Sequence, residues 1–290
     1  MKVLIIGASG MLGYSLFSNL SEYEHLDVFG TVRSIEGKEA FFTELSGKLF
    51  NDVDIENLSR LEQVMHETKP DVVINCIGLI KQYDIAKGHV ASVQVNALLP
   101  HQLAAICESH NAKLIHFSTD CVFSGQKGLY VEDDLPDAVD LYGSSKRLGE
   151  VSYGKHLTLR TSIIGHELNS SVSLIDWFLS QEQGVSGFSK AVFSGLPTCY
   201  VAKLLAEKIL PNKELAGMYH LSVEPIDKFS LLKQVNEVYG KGTEITENAS
   251  FVIDRSLNSD ELRKQIDFTP PTWPELINFM HSDFKKRYVR

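Results

Sequence analysis

Apolar positions along this chain fall into two rhythms. Short runs of mostly apolar or β-branched residues occur at residues 2–6, 27–32, 48–50, 70–78, 113–117 and 158–161, with a last one at 218–221. Runs of that length and composition predict strands buried on both faces. Between them apolar residues recur three and four apart, as with Leu58, Leu61, Val64 and Met65, which predicts helices over 11–20, 55–68, 90–109 and 201–210. Strands alternating with helices of ten to fifteen residues imply a parallel sheet, because each return path must cross a sheet face. The expected fold is therefore α/β, a doubly wound parallel sheet. After the last strand the rhythm loosens. Helices at 229–238 and 274–284, with Pro270-Pro271 between them, and another at 173–183 carrying Leu174, Trp177 and Phe178, predict a smaller, mixed C-terminal lobe. The expected division is 1–168 plus 189–222 for the sheet domain and 169–188 plus 223–290 for the lobe.

The first strand breaks at once into Gly7-Ala8-Ser9-Gly10-Met11-Leu12-Gly13, and a helix follows. In a strand–turn–helix unit these glycines have separate uses: Gly7 for the tight turn, Gly10 for close approach of a pyrophosphate, Gly13 for helix-on-strand packing. The helix start adds unpaired N–H groups and partial positive charge. A Rossmann-type dinucleotide site is expected, with Gly7, Ser9, Gly10, Met11, Leu12 and Gly13 against the cofactor; a plain structural turn is the alternative. The second strand ends in Thr31-Val32-Arg33-Ser34, with no acid before Glu36. An acid there would take the ribose 2′-hydroxyl, whereas Arg33 can pair with a 2′-phosphate, so NADPH is favoured over NADH unless Arg33 merely faces solvent. Asp54, past the third strand, is expected under the adenine ring.

Composition narrows the class without naming it. The chain has 290 residues, enough for one large domain or two small ones, and a net charge of −9, which argues against nucleic acid or an anionic membrane as partner. Cys76, Cys107, Cys121 and Cys199 are scattered, so neither a zinc site nor a disulfide framework is expected. Met1 leads directly into a strand and no apolar run approaches the roughly 18 residues of a membrane span. A cytoplasmic, reduced protein is the expectation.

Tyr142 and Lys146, four apart on an expected helix, share one face. A phenol with a pKa of about 10 is a poor acid or base near neutrality, and an adjacent ammonium brings it toward the working range. The spacing alone is weak, since Tyr83 and Lys87 repeat it. Context separates the pairs. Tyr142 follows the strand end Ser118-Thr119-Asp120 by a loop and a helix start, so a Thr119 or Ser118 hydroxyl could reach the same carbonyl. His116 is read as a packed core histidine, and His220 as structural.

The glycine turn, the Tyr142-x-x-x-Lys146 pair and the serine/threonine strand end together resemble an extended short-chain dehydrogenase/reductase. The segments Phe117-Ser118-Thr119-Asp120-Cys121-Val122-Phe123-Ser124-Gly125, Leu159-Arg160-Thr161-Ser162, Gly195-Leu196-Pro197-Thr198 and Gly217-Met218-Tyr219-His220-Leu221-Ser222 are similar to its dTDP-4-dehydrorhamnose reductase-like (RmlD-like) branch. The resemblance implies NADPH-dependent reduction, with NADH as the alternative, of the 4-keto group of a nucleotide-linked 6-deoxysugar, in polysaccharide or cell-surface sugar synthesis. It implies Thr119, Tyr142 and Lys146 as the catalytic trio, Tyr142 and Lys146 also meeting the cofactor, the lysine at its ribose hydroxyls, and Asn75, Cys76, Ile77 and Gly78 lining it. Asn96 would help position the lysine, and Lys81, Ser118, Thr119 and Thr198 would lie on the substrate side. Cys121 stands where the branch commonly has tyrosine, and Ser15 where some relatives place a glutamate that binds magnesium at a dimer contact. No metal is carried over, and a homodimer stays open. The rivals are an epimerase or dehydratase of the same fold, and a non-catalytic binding subunit such as the regulatory subunit of methionine adenosyltransferase.

Overall fold

A computed structural model describes residues 1–80 and 88–289. The first half runs β1 (Lys2–Ile6), α1 (Met11–Leu20), β2 (Asp27–Thr31), β3 (Leu49–Phe50), α2 (Ser59–Thr68) and β4 (Val72–Asn75). Then α3 (His89–Ser92) passes through a π turn, Val93–Leu98, into α4 (Leu99–Ser109), followed by β5 (Lys113–Thr119), α5 (Leu141–Leu148) and β6 (Leu157–Thr161). The remainder is β7 (Ile163–Ile164), α6 (Leu174–Ser180), β8 (Val185–Phe188), β9 (Ala191–Phe193), β10 (Leu196–Pro197), α7 (Thr198–Leu204), β11 (Gly217–His220) and β12 (Ile226–Asp227). It closes with α8 (Lys228–Val238), β13 (Ile245–Asn248), β14 (Ile253–Asp254), α9 (Asp260–Gln265) and α10 (Trp273–Arg287).

Seven strands form one parallel sheet in the order β3-β2-β1-β4-β5-β6-β11. Strand order reverses between β1 and β4, which opens a crevice beyond their carboxyl ends. The continuous apolar runs follow from this architecture. Val3 and Ile5 point into a cluster with Leu16, Phe17 and Ile74, while Leu4 and Ile6 point to the other face against Leu61, Val64, Met65 and Leu103. Both faces are dry, so neither side of β1 can be polar.

The sheet and its helices agree with the pattern reading, and the differences have local causes. The second helix begins at Ser59 rather than 55, because the Asp54 carboxylate accepts from the Glu56 N–H at 3.0 Å and the Asn57 side chain from the Ser59 N–H at 3.2 Å. Such local side-chain bonds hold turns against helix. The run His89–Ser109 is long and apolar enough to cross a membrane by composition, contrary to expectation, yet half of it is buried against the protein. It is a core helix.

Outside the large sheet lie a three-stranded sheet, β12-β9-β14, whose central strand falls within 189–222, and the parallel pair β8–β13. Phe178 of α6 is fully buried, while Trp177 stays partly exposed. The last helix, α10, opens with a reciprocal capping box between Thr272 and Glu275. Its final turn returns to α1: Lys286 and Arg287 pair with Glu22, and the Tyr288 ring meets Tyr14 edge-on at 5.5 Å. Ser15, also on α1, is 0% exposed.

A Cβ on Gly13 would lie 2.0 Å from the Gly7 carbonyl oxygen, so α1 rests directly on the turn with no room for a methyl group. Gly13→Ala is expected to destabilise the protein by about 3 kcal/mol in denaturant unfolding. An unchanged midpoint and slope would show that α1 can lift off β1 without cost.

Candidate active site

The glycine turn is built by the end of β2 as much as by its own sequence. The Gly7 and Ala8 N–H groups both donate to the Thr31 carbonyl, at 3.1 and 2.8 Å, and Gly7 takes φ +86°, in the left-handed region. Gly10 is exposed and is the N-cap of α1, so it brings no side chain to satisfy the first N–H groups, and that first turn carries no acid. A hollow of about 290 Å³ opens over it, lined by Ser9, Gly10 and Met11 with Lys38, Glu167, Leu168, Asn169 and Ser170. Uncapped N–H groups, positive helix end and open space suit the diphosphate of a dinucleotide. Leu12 and Gly13 lie beneath, buried. Arg33 stands exposed beyond β2, and Asp54 is half-buried beyond β3.

Across the crevice, β4 continues as Cys76, whose N–H donates to the Ile6 carbonyl at 3.0 Å. Cys76 and Ile77 are half-buried and Gly78 exposed, so the loop lines the crevice floor. Burial pushes the Cys76 thiol well above its ordinary range, leaving it neutral and inert. Asn96 sits in the π turn, 0% exposed. Its side chain accepts from the Leu79 N–H at 2.9 Å and donates to the Leu79 carbonyl at 3.0 Å and to Ser145 Oγ at 3.3 Å. Asn96 therefore pins the loop after β4 to α5, and it meets Ser145 rather than Lys146. A π turn inside an α-helix commonly marks such a site.

The sequence-predicted trio converges at the end of β5. The Thr119 hydroxyl hydrogen-bonds the Tyr142 phenol, donates to Asp120 Oδ1 at 3.1 Å and accepts the Cys121 N–H at 3.1 Å. Asp140 caps α5 by accepting from the Gly143 N–H at 3.0 Å, which fixes where Tyr142 projects. One turn later Lys146, 5% exposed, donates to the Phe117 carbonyl at 2.7 Å. Burial brings the lysine down to about 8, opposed by the negative charge of Glu150. Burial, with Cys121 and Asp120 adding to it, holds the Tyr142 phenol well above its ordinary value, while the Thr119 hydrogen bond works the other way. In this state the phenol keeps its proton.

Ser118 and Thr119 are successive on a strand, so they face opposite ways. Thr119 takes the Tyr142 side. The Ser118 hydroxyl instead donates to Glu150 Oε1 at 2.7 Å, inside a buried pair in which Arg160 Nε and Nη2 donate to Oε1 and Oε2 at 2.7 and 2.8 Å. Thr198 is 2% exposed at the start of α7, tight against Gly165. Lys81, with Tyr83 and Lys87, lies outside the described residues. His220 is structural as read: its Nδ1 lies 3.0 and 3.1 Å from the Tyr130 and Asn258 carbonyls, and burial beside Arg160 lowers it to about 4.

Three residues of the crevice escaped the sequence reading. Lys38 donates to the Ser9 carbonyl at 3.4 Å, at the glycine turn itself; its signal was a second cation soon after Arg33. Glu150 follows Lys146 by four residues, a spacing that was open to view. Arg255 reaches back from beyond β14, donating through Nε to the Phe123 carbonyl at 2.9 Å and through Nη1 to Cys121 Sγ at 3.6 Å. Arg255, and more weakly Lys228, set positive charge against buried Asp120 and oppose the rise in its pKa that burial imposes. No local signal could have found Arg255, since the tertiary fold alone brings it there.

Over 151 residues the chain is 34% identical to a protein named probable low-salt glycan biosynthesis reductase Agl14 of Haloferax volcanii, covering 52% of this chain and 48% of that one. It is 28% identical over 237 residues to a dTDP-4-dehydrorhamnose reductase of Aggregatibacter actinomycetemcomitans, covering 77% and 74%. The chain thus spans about half the length of the first of these relatives and three quarters of the second. A crystal structure of dTDP-4-dehydrorhamnose reductase from Bacillus anthracis in complex with NADP shares the fold, with a TM-score of 0.79 at 23% identity, over 97% of this chain and 99% of that one. The RmlD substrate binding domain family matches residues 1–280, and the chain belongs to that family.

Proposed function

We propose that this protein is an NADPH-dependent reductase of the 4-keto group of a nucleotide-linked 6-deoxysugar. The observation that carries the reading is the Thr119 hydroxyl bonded to the Tyr142 phenol, with buried Lys146 one turn on, beside an uncapped glycine turn. In this reading Gly7, Ser9, Gly10, Met11, Leu12 and Gly13 hold the dinucleotide diphosphate and Lys38 adds charge beside it. Arg33 takes the 2′-phosphate, and Asp54, Cys76, Ile77 and Gly78 line the remaining length. When bound, the nicotinamide supplies the hydride. Thr119 and Tyr142 hold the sugar carbonyl through two hydroxyls, and Tyr142 gives its phenolic proton to the forming alkoxide. Lys146 in its charged form stabilises the phenolate left behind. Arg255 is suited to the sugar diphosphate, since Arg matches phosphate oxygens with two donors. The mixed region, 169–188 plus 223–290, supplies the substrate side, and a glycan precursor is the expected product.

The test is NADPH oxidation with a panel of dTDP-, UDP- and GDP-linked 4-keto-6-deoxysugars. Turnover with one member supports the reading. Silence across the panel, with tight NADPH binding, would overturn it in favour of a binding subunit.

Three consequences are separately measurable. Tyr142→Phe should lower turnover by roughly 10²–10⁴-fold with NADPH affinity unchanged by calorimetry; full turnover would remove Tyr142 from proton transfer. Arg33→Ala should weaken NADPH by roughly 10–100-fold and leave NADH nearly untouched, the scale of one charged hydrogen bond. Lys38→Ala, acting near the diphosphate common to both, should weaken both alike, and the reverse pattern in either variant would refute its assignment.

The pH dependence follows from Lys146. The charged form is the active one, so kcat/KM should fall as pH rises through about 8, where the free protein loses that proton. Glu150 favours the charge, so Glu150→Gln should move the fall to lower pH; a shift to higher pH contradicts the assignment.

A further inference from the structure

Lys146 meets a second buried group that the reaction above does not use. His116, 0% exposed on β5, sits directly opposite Asn75 in the β4–β5 register. Asn75 Nδ2 lies 3.2 Å from His116 Nδ1, and His116 Nε2 lies 3.5 Å from Lys146 Nζ. The Asn75 side-chain oxygen, Oδ1, is committed elsewhere, accepting the Ile77 N–H at 3.0 Å.

These contacts leave one consistent assignment of protons. Turning the Asn75 amide over would set its NH₂ against the Ile77 N–H, two donors face to face. The amide NH₂ therefore faces His116 Nδ1, which must offer its lone pair. Burial and the charge of Lys146 hold His116 well below its ordinary pKa, so the ring is neutral and carries its single proton on Nε2. That N–H points toward Lys146. An amine there accepts it; an ammonium meets a donor with no lone pair to offer.

We propose that Asn75 and His116 form a fixed polar relay whose Nε2–H opposes the positive charge of Lys146 and sets how readily that lysine gives up its proton. His116 is then a positioning residue acting through Lys146, and the relay begins at Ile77 in the loop that lines the crevice. The other groups around Lys146 divide clearly. Glu150 favours its charge, and Arg160 holds Glu150 in place through two hydrogen bonds. Asp120 acts on Tyr142, and His101 acts on His116 from α4. The balance between Glu150 and the His116 N–H lets one lysine both hold a charge beside the phenolate and return a proton to it.

The proposal rests on the reductase reading for its purpose, but its test does not. Protein labelled with ¹⁵N-histidine and ¹³C-lysine is titrated by NMR without cofactor, with His116→Gln and Lys146→Arg used for assignment. The expected result is His116 protonated on Nε2 and bare on Nδ1 both below and above the Lys146 midpoint; an Nδ1–H tautomer or an imidazolium overturns the relay. His116→Phe, which removes the donor, should raise the Lys146 midpoint by roughly one pH unit, the scale of one hydrogen bond. His116→Gln, whose amide can accept from Asn75 and donate to Lys146, should leave it near the parent value. A midpoint unmoved by His116→Phe overturns the proposal, and should that variant not fold, the tautomer in the unaltered protein decides alone. An Nε2–H tautomer in a protein that never oxidises NADPH would overturn the reductase reading and leave the relay standing.

Discussion

The contact on which the rest of the molecule depends is the seat of α1 on the turn after β1. Gly13 lies where any side chain would strike the Gly7 carbonyl, and the Gly7 and Ala8 N–H groups both close on Thr31 of β2. One turn thereby fixes the first strand, the second strand and the first helix relative to each other. It also leaves Gly10 bare at the helix start, so the packing constraint and the uncapped helix end are the same feature. The strands β4 and β5 then add their ends on the far side of the strand-order reversal, and the crevice lies between the two halves.

Beneath that crevice the protein places charge and polar groups where a parallel sheet is otherwise dry. The Glu150–Arg160 pair, with side chains 8% and 3% exposed, is satisfied by Ser118 and by two direct hydrogen bonds. A buried pair is a poor source of net stability, but losing one member leaves an unpaired charge at a cost of about 3–5 kcal/mol. Its value here is placement. It ties the end of α5 to β5 and β6, and its negative charge stands behind Lys146. Asn96 does the same from the π turn, holding the loop after β4 to α5. The trio at the strand end is braced by groups whose own hydrogen bonds close within the protein.

Much of this was legible in the amino-acid sequence, for reasons that separate cleanly. The glycine turn, its strand and its helix are contiguous, so local pattern suffices. That the sheet is parallel follows from alternation, because parallel strands need crossover helices, whereas the strand order does not. Tyr142 and Lys146 were found because helical spacing is short-range. The orientation of Ser118 was recoverable too, since neighbours on a strand face opposite sides and Thr119 was already spoken for. What could not be read were tertiary facts. Thr198 is covered at the start of α7, Arg255 arrives from more than a hundred residues downstream of Cys121, and the π turn at Asn96 has no signature in hydrophobic periodicity. The helix over 90–109 was legible, but not that the length and composition of His89–Ser109 would also suit a membrane span.

The most direct measurement is the fate of the hydride. NADPH deuterated at the transferring position of the nicotinamide would be given with a 4-keto-6-deoxysugar nucleotide, and the sugar product analysed by mass spectrometry. A reductase that works at Thr119, Tyr142 and Lys146 places the label on the product sugar's C4 and consumes one NADPH for each product formed. Product without label, or turnover that consumes no NADPH, would contradict the account and leave the fold to a different chemistry.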